Sequence, residues 1–227
     1  MKLYQTLLCI VTLLLSFNLS ASANDPHNVG KDTNRTGLFA YMEQISSQLG
    51  CYFTVESVHS ESGQNILNTV QILSDPKVKT VASLVEKLSK DVPQITVKRD
   101  TENPLVVHLI EKSIFSDPNY PLNKKTSLSY SGRLMDLPDL IGSNLKTTLT
   151  TKHAIFGPVT NTDFTTTVSV NSVDEPVRTI LTKCLPFKSY GAYLWCAVSW
   201  KEDNIKFVTV DFGGPRSKRS IEIPKKP

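Results

Sequence analysis

Residues 38–55 read LFAYMEQISSQLGCYFTV, and the spacing of their apolar side chains changes partway from a helical to a strand period. The first part is apolar at intervals of three and four residues, as in an amphipathic helix. Its apolar positions are Leu38, Met42, Ile45 and Leu49. Gly50 ends this predicted helix, because glycine readily takes the left-handed backbone of a C-cap. The alternating β-branched and aromatic residues from Cys51 to Val58 then predict a strand.

The same order of elements, helix, strand, strand, helix and hairpin, occurs twice along the chain. Further helices are predicted at 81–88, 137–145 and 177–184 from their apolar stripes and their flanking capping residues and prolines. Further strands are predicted at 69–73, 95–99, 105–111, 127–134, 164–170, 192–200 and 205–212, with a less regular one near 152–156. Each helix has one apolar face, which two helices bury when they lie on one side of a small sheet. We therefore predict an α+β fold of two tandem sandwiches, each with two helices on a mixed sheet of three to five strands.

The repeated order sets the predicted domain boundaries. The first module spans 37–112 and the second 127–212, and residues 113–126, which include two prolines, form the linker between them. Residues 24–36 and 213–227 are predicted to be disordered because they are rich in polar residues, glycine and proline.

The first 23 residues have the layout of a cleavable signal peptide. Lys2 precedes an apolar run from Leu7 to Leu15, and Ala21-Ser22-Ala23 offers the small residues that signal peptidase requires before Asn24. The apolar run is too short to span a bilayer comfortably. The sequence therefore predicts a protein that is exported to the periplasm or the cell exterior and is not transmembrane after cleavage.

Positive charge is concentrated at the C-terminal end. The formal net charge is +4, and residues 213–227 contain five lysines and arginines against Glu222 alone. Two interpretations of this basic tail stay open, a contact with anionic surfaces and a solubilising end. Nucleic acid is not an expected partner, because the chain has no basic face interleaved with aromatic residues.

The run 38–55 resembles the helix-glycine-strand opening of the short N-terminal (STN) domain shared by bacterial secretins and TonB-dependent receptors. Residues 81–111 are similar to the second half of that domain, and the second module resembles it through 165–170, 174–185 and 198–210. The resemblance implies a compact, non-enzymatic periplasmic module that engages other proteins by edge strands and helix faces. In those families the module precedes a membrane barrel or pore-forming domain, for which 227 residues leave no room. Transport or receptor function is therefore not implied.

No motif for a cofactor, a metal or a phosphate group is present in the sequence. The four histidines, His27, His59, His108 and His153, are scattered along the chain. Ser143 and Lys146 match the Ser-x-x-Lys pattern of penicillin-recognising hydrolases, but the companion Ser-Asp-Asn and Lys-Thr-Gly motifs do not follow. The enzyme alternative is a small exported hydrolase with a cleft between the modules, where Ser143, Lys146 and His153 meet.

Three cysteines follow the predicted cleavage site. An oxidising compartment allows Cys184 and Cys196 to form a disulfide across the short stretch that separates them. The alternative is that Cys51, Cys184 and Cys196 are buried, reduced thiols that pack as small apolar side chains.

Four aromatic residues crowd the last predicted hairpin, namely Tyr190, Tyr193, Trp195 and Trp200. Because successive strand residues face opposite sides, one set is expected to pack inward and the other to form a binding surface. The alternative is that Tyr193 and Trp195 cover a sheet edge or the other module. The sequence favours an exported, non-enzymatic protein-binding or scaffold protein of the cell envelope, with a protein partner in the envelope or outside the cell.

Overall fold

The computed structural model describes residues 35–59, 66–151, 166–185, 192–202 and 205–212. The strands are β1 Arg35–Gly37, β2 Tyr52–Val58, β3 Gln71–Leu73, β4 Ile95–Arg99, β5 Val106–Glu111, β6 Lys125–Arg133, β7 Leu149–Thr150, β8 Thr167–Pro176, β9 Tyr193–Glu202 and β10 Ile205–Phe212. The helices are α1 Leu38–Leu49, α2 Val81–Asp91, α3 Lys112–Phe115, α4 Leu137–Leu145 and α5 Val177–Lys183. The chain is an α+β protein, as its sequence predicts.

A six-stranded mixed sheet lies at the centre, with strand order β4-β5-β2-β9-β10-β7. β2 pairs in parallel with β5 on one side and with β9 on the other. β4 and β10 are antiparallel to their neighbours β5 and β9. Two smaller sheets complete the fold, one formed by β1 and β3 and one by β6 and β8.

Apolar clusters cover both faces of the central sheet. Phe53 and Val55 of β2 join Leu109 of β5 in a cluster with α1 and α2. Val106 and Ile110 of β5, whose side chains alternate with that of Leu109, belong to a second cluster with α4, α5, β6 and β8. The protein therefore has three layers with the central sheet in the middle.

The tandem arrangement of two separate sheets is not confirmed. β2 belongs to the predicted first module and β9 to the second, yet they pair along the register from Phe53–Tyr193 to Val58–Ser199. Each half supplies most of one apolar cluster, but the two halves share the sheet between those clusters. The described residues from Arg35 onward accordingly form one compact unit.

The predicted linker belongs to the folded core. Ile114, Tyr120 and Leu122 lie within 113–126 and are buried in the second apolar cluster. At the start of the fold, Arg35 and Thr36 belong to β1, although 24–36 was predicted to be disordered. The predicted signal peptide, the basic tail and the strand near 152–156 lie outside the described residues.

Local sequence explains where the main helices begin and end. Gly50 has φ of 64° and closes α1 by donating its N–H to the carbonyl of Ser46. Thr80 and Ser83 form a reciprocal capping box at the start of α2. Gly142 lets α4 approach β7, because a Cβ at this position lies 2.6 Å from the carbonyl oxygen of Leu149. None of the described helices has the length and hydropathy needed to cross a bilayer.

Candidate functional site

Two polar networks lie between α5 and the central sheet, on the face that the second apolar cluster covers. They start from Thr54 and Glu56, which point to the same side of β2 and are both fully buried. Buried polar groups require partners, and charged ones require them most strongly. The partners come from distant parts of the chain, so the networks join elements as well as filling space.

The first network is an ion pair between the two halves of the chain. The guanidinium of Arg178 on α5 donates two hydrogen bonds to the carboxylate of Glu56, one of them over 2.8 Å. The same guanidinium donates to the side-chain oxygen of Asn123 over 2.9 Å. Burial alone lowers the pKa of Arg178, but the hydrogen bonds and charge of Glu56 more than offset this and raise it. The guanidinium therefore stays charged, and the carboxylate of Glu56 holds it in a two-pronged geometry.

Asn123 extends this network into the segment before β6. Its side-chain amide donates to the carbonyls of Ile114, Phe115 and Asp117 over 2.7–3.1 Å. The hydroxyl of Tyr120 is buried nearby without a hydrogen bond to the described residues. Burial and the negative charge of Glu56 raise the pKa of Tyr120, so the phenol stays neutral. Segment 113–126 therefore contacts α5 directly through Asn123 and is linked through Arg178 to Glu56 on β2. Its buried apolar residues add to these polar contacts.

The second network is a line of three side chains, Thr54, His108 and Asp100. Thr54 and His108 are register partners on β2 and β5, and the Thr54 hydroxyl lies 2.7 Å from His108 Nδ1. His108 Nε2 lies 2.9 Å from the carboxylate of Asp100, which also accepts from the backbone N–H groups of Glu102 and Asn103. The hydrogen bond from His108 is the main cause that lowers the pKa of Asp100 from 3.8 to about 2. Since an ionised carboxylate only accepts, Nε2 donates to it, and the Thr54 hydroxyl is the partner of Nδ1 on the other side of the ring.

Replacing Asp100 with Asn is expected to destabilise the protein by about 1–2 kcal/mol at neutral pH, because the folded-state pKa of the carboxyl is below its unfolded value. A carboxylate whose pKa is lowered by folding stabilises the folded state at pH values above its unfolded-state pKa. This contribution is lost as the pH falls toward the folded-state pKa. Urea unfolding of wild type and Asp100→Asn should therefore show a difference in the free energy of unfolding that shrinks below about pH 4 and nearly disappears near pH 2. Thr54→Val removes a non-titrating member of the network and serves as the control. A gap for Asp100→Asn that stays constant from pH 7 to pH 2 would contradict this linkage.

A small cleft opens where the β4–β5 turn meets α5. Asp100, Glu102 and Asn103 line one side and Thr179, Thr182 and Lys183 the other, around a volume of about 210 Å³. Pockets that bind drug-sized ligands have about 300–1,000 Å³, so this cleft is smaller than they are. Lys183 spans its mouth with ion pairs of 3.0 Å to Glu102 and 2.8 Å to Glu175. The side chains of these ion pairs are partly exposed, so the pairs contribute little to the stability of the closed cleft entrance.

The geometry does not favour bond-making chemistry at this cleft. Thr54 and His108 form a hydroxyl–imidazole pair, but the Thr54 side chain is fully buried below the cleft floor. A nucleophile has to reach the substrate, and this hydroxyl does not. The described residues hold no cluster of three or more metal-ligating side chains. The first network connects α5 to the central sheet, and the second connects β2, β5 and the β4–β5 turn within that sheet.

Ser143 and Lys146 are the two residues of the hydrolase alternative that the structure describes. The Ser143 hydroxyl donates to the carbonyl of Asp139 in its own helix. Lys146 is the C-cap of α4, with φ of 52°. His153 lies outside the described residues. Because Ser143 is engaged in a helix-internal hydrogen bond, the described residues give no support to a Ser–Lys catalytic pair.

The aromatic residues of the last hairpin do not form an exposed surface where they are described. Tyr193 and Trp195 are 2% and 0% exposed. Tyr193 packs in the cluster with α1 and α2, and Trp195 in the opposite one, where its indole N–H donates to the Thr182 hydroxyl over 3.2 Å. Both faces of β9 are covered from Tyr193 to Val198, so this described stretch leaves neither face for a partner. Tyr190 and the side chain of Trp200 lie outside the described residues.

The predicted disulfide between Cys184 and Cys196 is absent, because Cys51, Cys184 and Cys196 are all free thiols. Cys196 belongs to the cluster with α1 and α2, whereas Cys184 packs against the cluster on the other face of the sheet. Burial raises the pKa of Cys51 to about 11 and of Cys184 to about 12. These thiols are protonated at neutral pH, and buried protonated thiols are poor nucleophiles.

The described strand edges differ in how well they are protected against pairing with another chain. β1, β3 and β7 are only two or three residues long and offer little backbone. β4 carries the exposed cations Lys98 and Arg99, and charged residues of this kind discourage strand addition. β7 pairs with β10 only at Val208 and Thr209. Two further edges belong to the ribbon formed by β6 and β8, which pair with each other over almost their whole lengths.

The hydrogen-bonding pattern of the ribbon shows which backbone groups face outward. The N–H of Leu134 donates to the carbonyl of Thr166 over 2.8 Å, and the ladder continues with Arg133 opposite Thr167 and Ser131 opposite Ser169. Bonded and non-bonded pairs alternate in an antiparallel ladder. The N–H and C=O groups of Ser131 and Ser169 therefore point away from the ribbon, toward its two outer edges.

The outer edge of β6 is protected. The outward carbonyl of Arg133 already accepts a hydrogen bond of 2.7 Å from the Tyr130 hydroxyl, and that hydroxyl lies close against Gly132. Exposed charges mark both ends of the strand, at Lys125 and Arg133. β6 is therefore a poor site for another strand.

The outer edge of β8 is open among the described residues. Thr167, Ser169 and Asn171 are exposed, while Val168 and Val170 anchor the strand in the core. No charged residue and no proline occurs between Thr166 and Val173, and Val173 is 77% exposed. This edge has none of the usual protection against pairing with another chain.

Sequence reasoning missed the ion pair and the β8 edge. Glu56 stands alone among apolar residues of a predicted strand, and an isolated acid in such a run indicates a buried partner. The signal for the β8 edge is its run of short polar residues alternating with valine and free of charge. Neither signal identifies the partner, which lies elsewhere in the chain or outside it.

Comparison with known proteins finds no significant match for this chain among protein-family models, curated proteins or solved structures. The resemblance to the STN domain gains no support from these comparisons. Any function has to be inferred from the molecule itself.

Proposed function

We propose that this chain is an exported, non-enzymatic binding or scaffold protein of the cell envelope that takes up an extended segment of a protein partner at β8. The observation that carries the proposal is the contrast between edges, since β4 and β6 are protected and β8 is not. An exposed strand edge binds another strand through main-chain hydrogen bonds, and flanking side chains provide selectivity. Export is supported by the signal-like residues 1–23.

Rigidity of the ribbon supports this role. Leu128, Val168 and Val170 anchor it in the apolar cluster beneath, so the backbone groups on its outer edge are held in place before a partner arrives. A preorganised edge loses less conformational entropy on binding than a flexible segment does. The buried ion pair between Glu56 and Arg178 strengthens the same layer, because α5 follows β8 directly.

Replacing Ser169 with Pro is expected to abolish capture of the partner and to leave folding nearly intact. Proline removes the outward N–H of Ser169 but no hydrogen bond of the ribbon, and edge positions tolerate it. The matched control is Ser131→Pro, which removes the outward N–H at the register partner on β6. Wild type and Ser131→Pro should recover the same proteins from an envelope extract, and Ser169→Pro should lose them.

Two outcomes would contradict the proposal. Equal recovery by all three baits would show that β8 is not the binding edge.

The baits are purified from the exported fraction, and N-terminal sequencing should begin at Asn24. An intact Met1 in that fraction would contradict cleavage of the predicted signal peptide.

A further inference from the structure

We infer that the strand taken up by β8 is β8 of a second copy of this chain, which pairs antiparallel around Ser169. The inference rests on the proposed function, because it names the occupant of the same edge. A two-fold dimer buries the same surface patch on both subunits, so that patch must be complementary to itself. The β8 edge meets this condition.

Self-pairing around Ser169 places uncharged residues opposite each other. Ser169 lies opposite Ser169 of the second copy, and Thr167 lies opposite Asn171. Cross-strand pairs of short polar side chains are favourable, and like charges directly opposite one another are not. The acidic residues of β8, Asp174 and Glu175, lie beyond this overlap. The two ribbons then form a continuous four-stranded sheet with β6 on both outer edges, where Tyr130 and Arg133 protect it.

The lack of charge also favours a second copy over a foreign segment. Interfaces usually select a foreign partner through complementary charges or side-chain pockets. The outer face from Thr167 to Asn171 carries no charged group, and its residues are short. A second copy of residues 167–171 can pair with this edge without complementary charges and without side-chain pockets. Pairing over five residues is a small interface, so the dimer should be weak and dependent on concentration.

Sedimentation and light scattering of the full-length exported protein test the inference. We expect the dimer fraction of wild type and Ser131→Pro to rise with protein concentration, and we expect Ser169→Pro to stay monomeric. The position of the axis is tested by Ser169→Cys in a Cys184→Ala background with a short bis-maleimide. Two Ser169 positions that face each other should cross-link efficiently. Ser131→Cys should not, because its two copies are about 14 Å apart across three strand spacings.

The outcomes separate this inference from the function on which it rests. A wild-type protein that stays monomeric at every concentration, with no cross-link at position 169, overturns the dimer. The proposed function still stands in that case if Ser169→Pro loses partners that Ser131→Pro retains. A dimer that Ser169→Pro does not weaken also overturns the inference, because the copies then meet elsewhere.

Discussion

Replacing Glu56 with Gln is expected to lower the free energy of unfolding by about 3–5 kcal/mol, because it leaves the Arg178 guanidinium without its counter-charge in the interior. The Glu56 side chain is fully buried and that of Arg178 is 15% exposed, so water compensates little for the lost partner. Domains of this size are usually stable by about 5–15 kcal/mol, so the variant should lose a large part of its stability. Urea unfolding followed by circular dichroism measures the loss.

The control for this prediction is Lys125→Gln, which breaks an exposed ion pair with Asp174. Exposed pairs contribute about 0–1 kcal/mol, so its effect should be small. Replacing both members of the buried pair, as Glu56→Leu with Arg178→Met, should recover part of the stability because no unpaired charge remains. If Glu56→Gln lowered the free energy of unfolding no more than Lys125→Gln does, the buried ion pair would not stabilise the packing of α5 on β2.

Replacing Trp195 with Ala is expected to destabilise the protein by about 3–5 kcal/mol, as truncation of a large buried aromatic side chain generally does. Trp195 is fully buried, and its indole N–H is bonded to Thr182 on α5. The substitution therefore leaves a cavity beneath α5 and removes the indole donor, while the Thr182 hydroxyl keeps its own hydrogen bond to the carbonyl of Arg178. Thermal and urea unfolding measure the effect.

Val173→Ala is the control for this second prediction. Val173 is 77% exposed, and substitutions at such sites usually change stability by less than about 0.5 kcal/mol. A Trp195→Ala protein as stable as wild type, but deficient in partner binding, would instead support the aromatic hairpin surface expected from the sequence. A Trp195→Ala protein that loses binding because it unfolds would give no support to that surface.

Local patterns predicted most of the secondary structure. α1 begins and ends where its apolar stripe and Gly50 indicate, and α5 begins directly after Pro176. These features depend on neighbouring residues, so a single sequence contains them. The overall α+β class follows from the same signals.

Strand pairing was not predictable from those patterns. Periodicity shows which side chains share a face, but it does not show which strands lie side by side. β2 and β9 are separated by more than a hundred residues and still pair, and this pairing joins what the sequence suggests are two modules. The pairing of β2 with β9 therefore places strands of both predicted modules in one six-stranded sheet.

The candidate site shows the same limit. Tyr193 and Trp195 were expected to leave one face of a hairpin free, because an alternating strand usually has one solvent face. β9 lies inside a three-layer protein, so every described side chain from Tyr193 to Val198 is buried. The partners of His108 were equally beyond the sequence, because Thr54 is a register neighbour on another strand and Asp100 lies across a turn.

Amide hydrogen exchange of the native protein tests whether both halves of the chain build one sheet through the pairing of β2 with β9. We expect the amides of Val55 and Cys196, which are register partners, to be protected with the same free energy of opening over a series of low urea concentrations. Glu56→Gln should lower both free energies by the same amount. Exchange of β9 amides at urea concentrations that leave β2 protected would show instead that the halves open as separate modules.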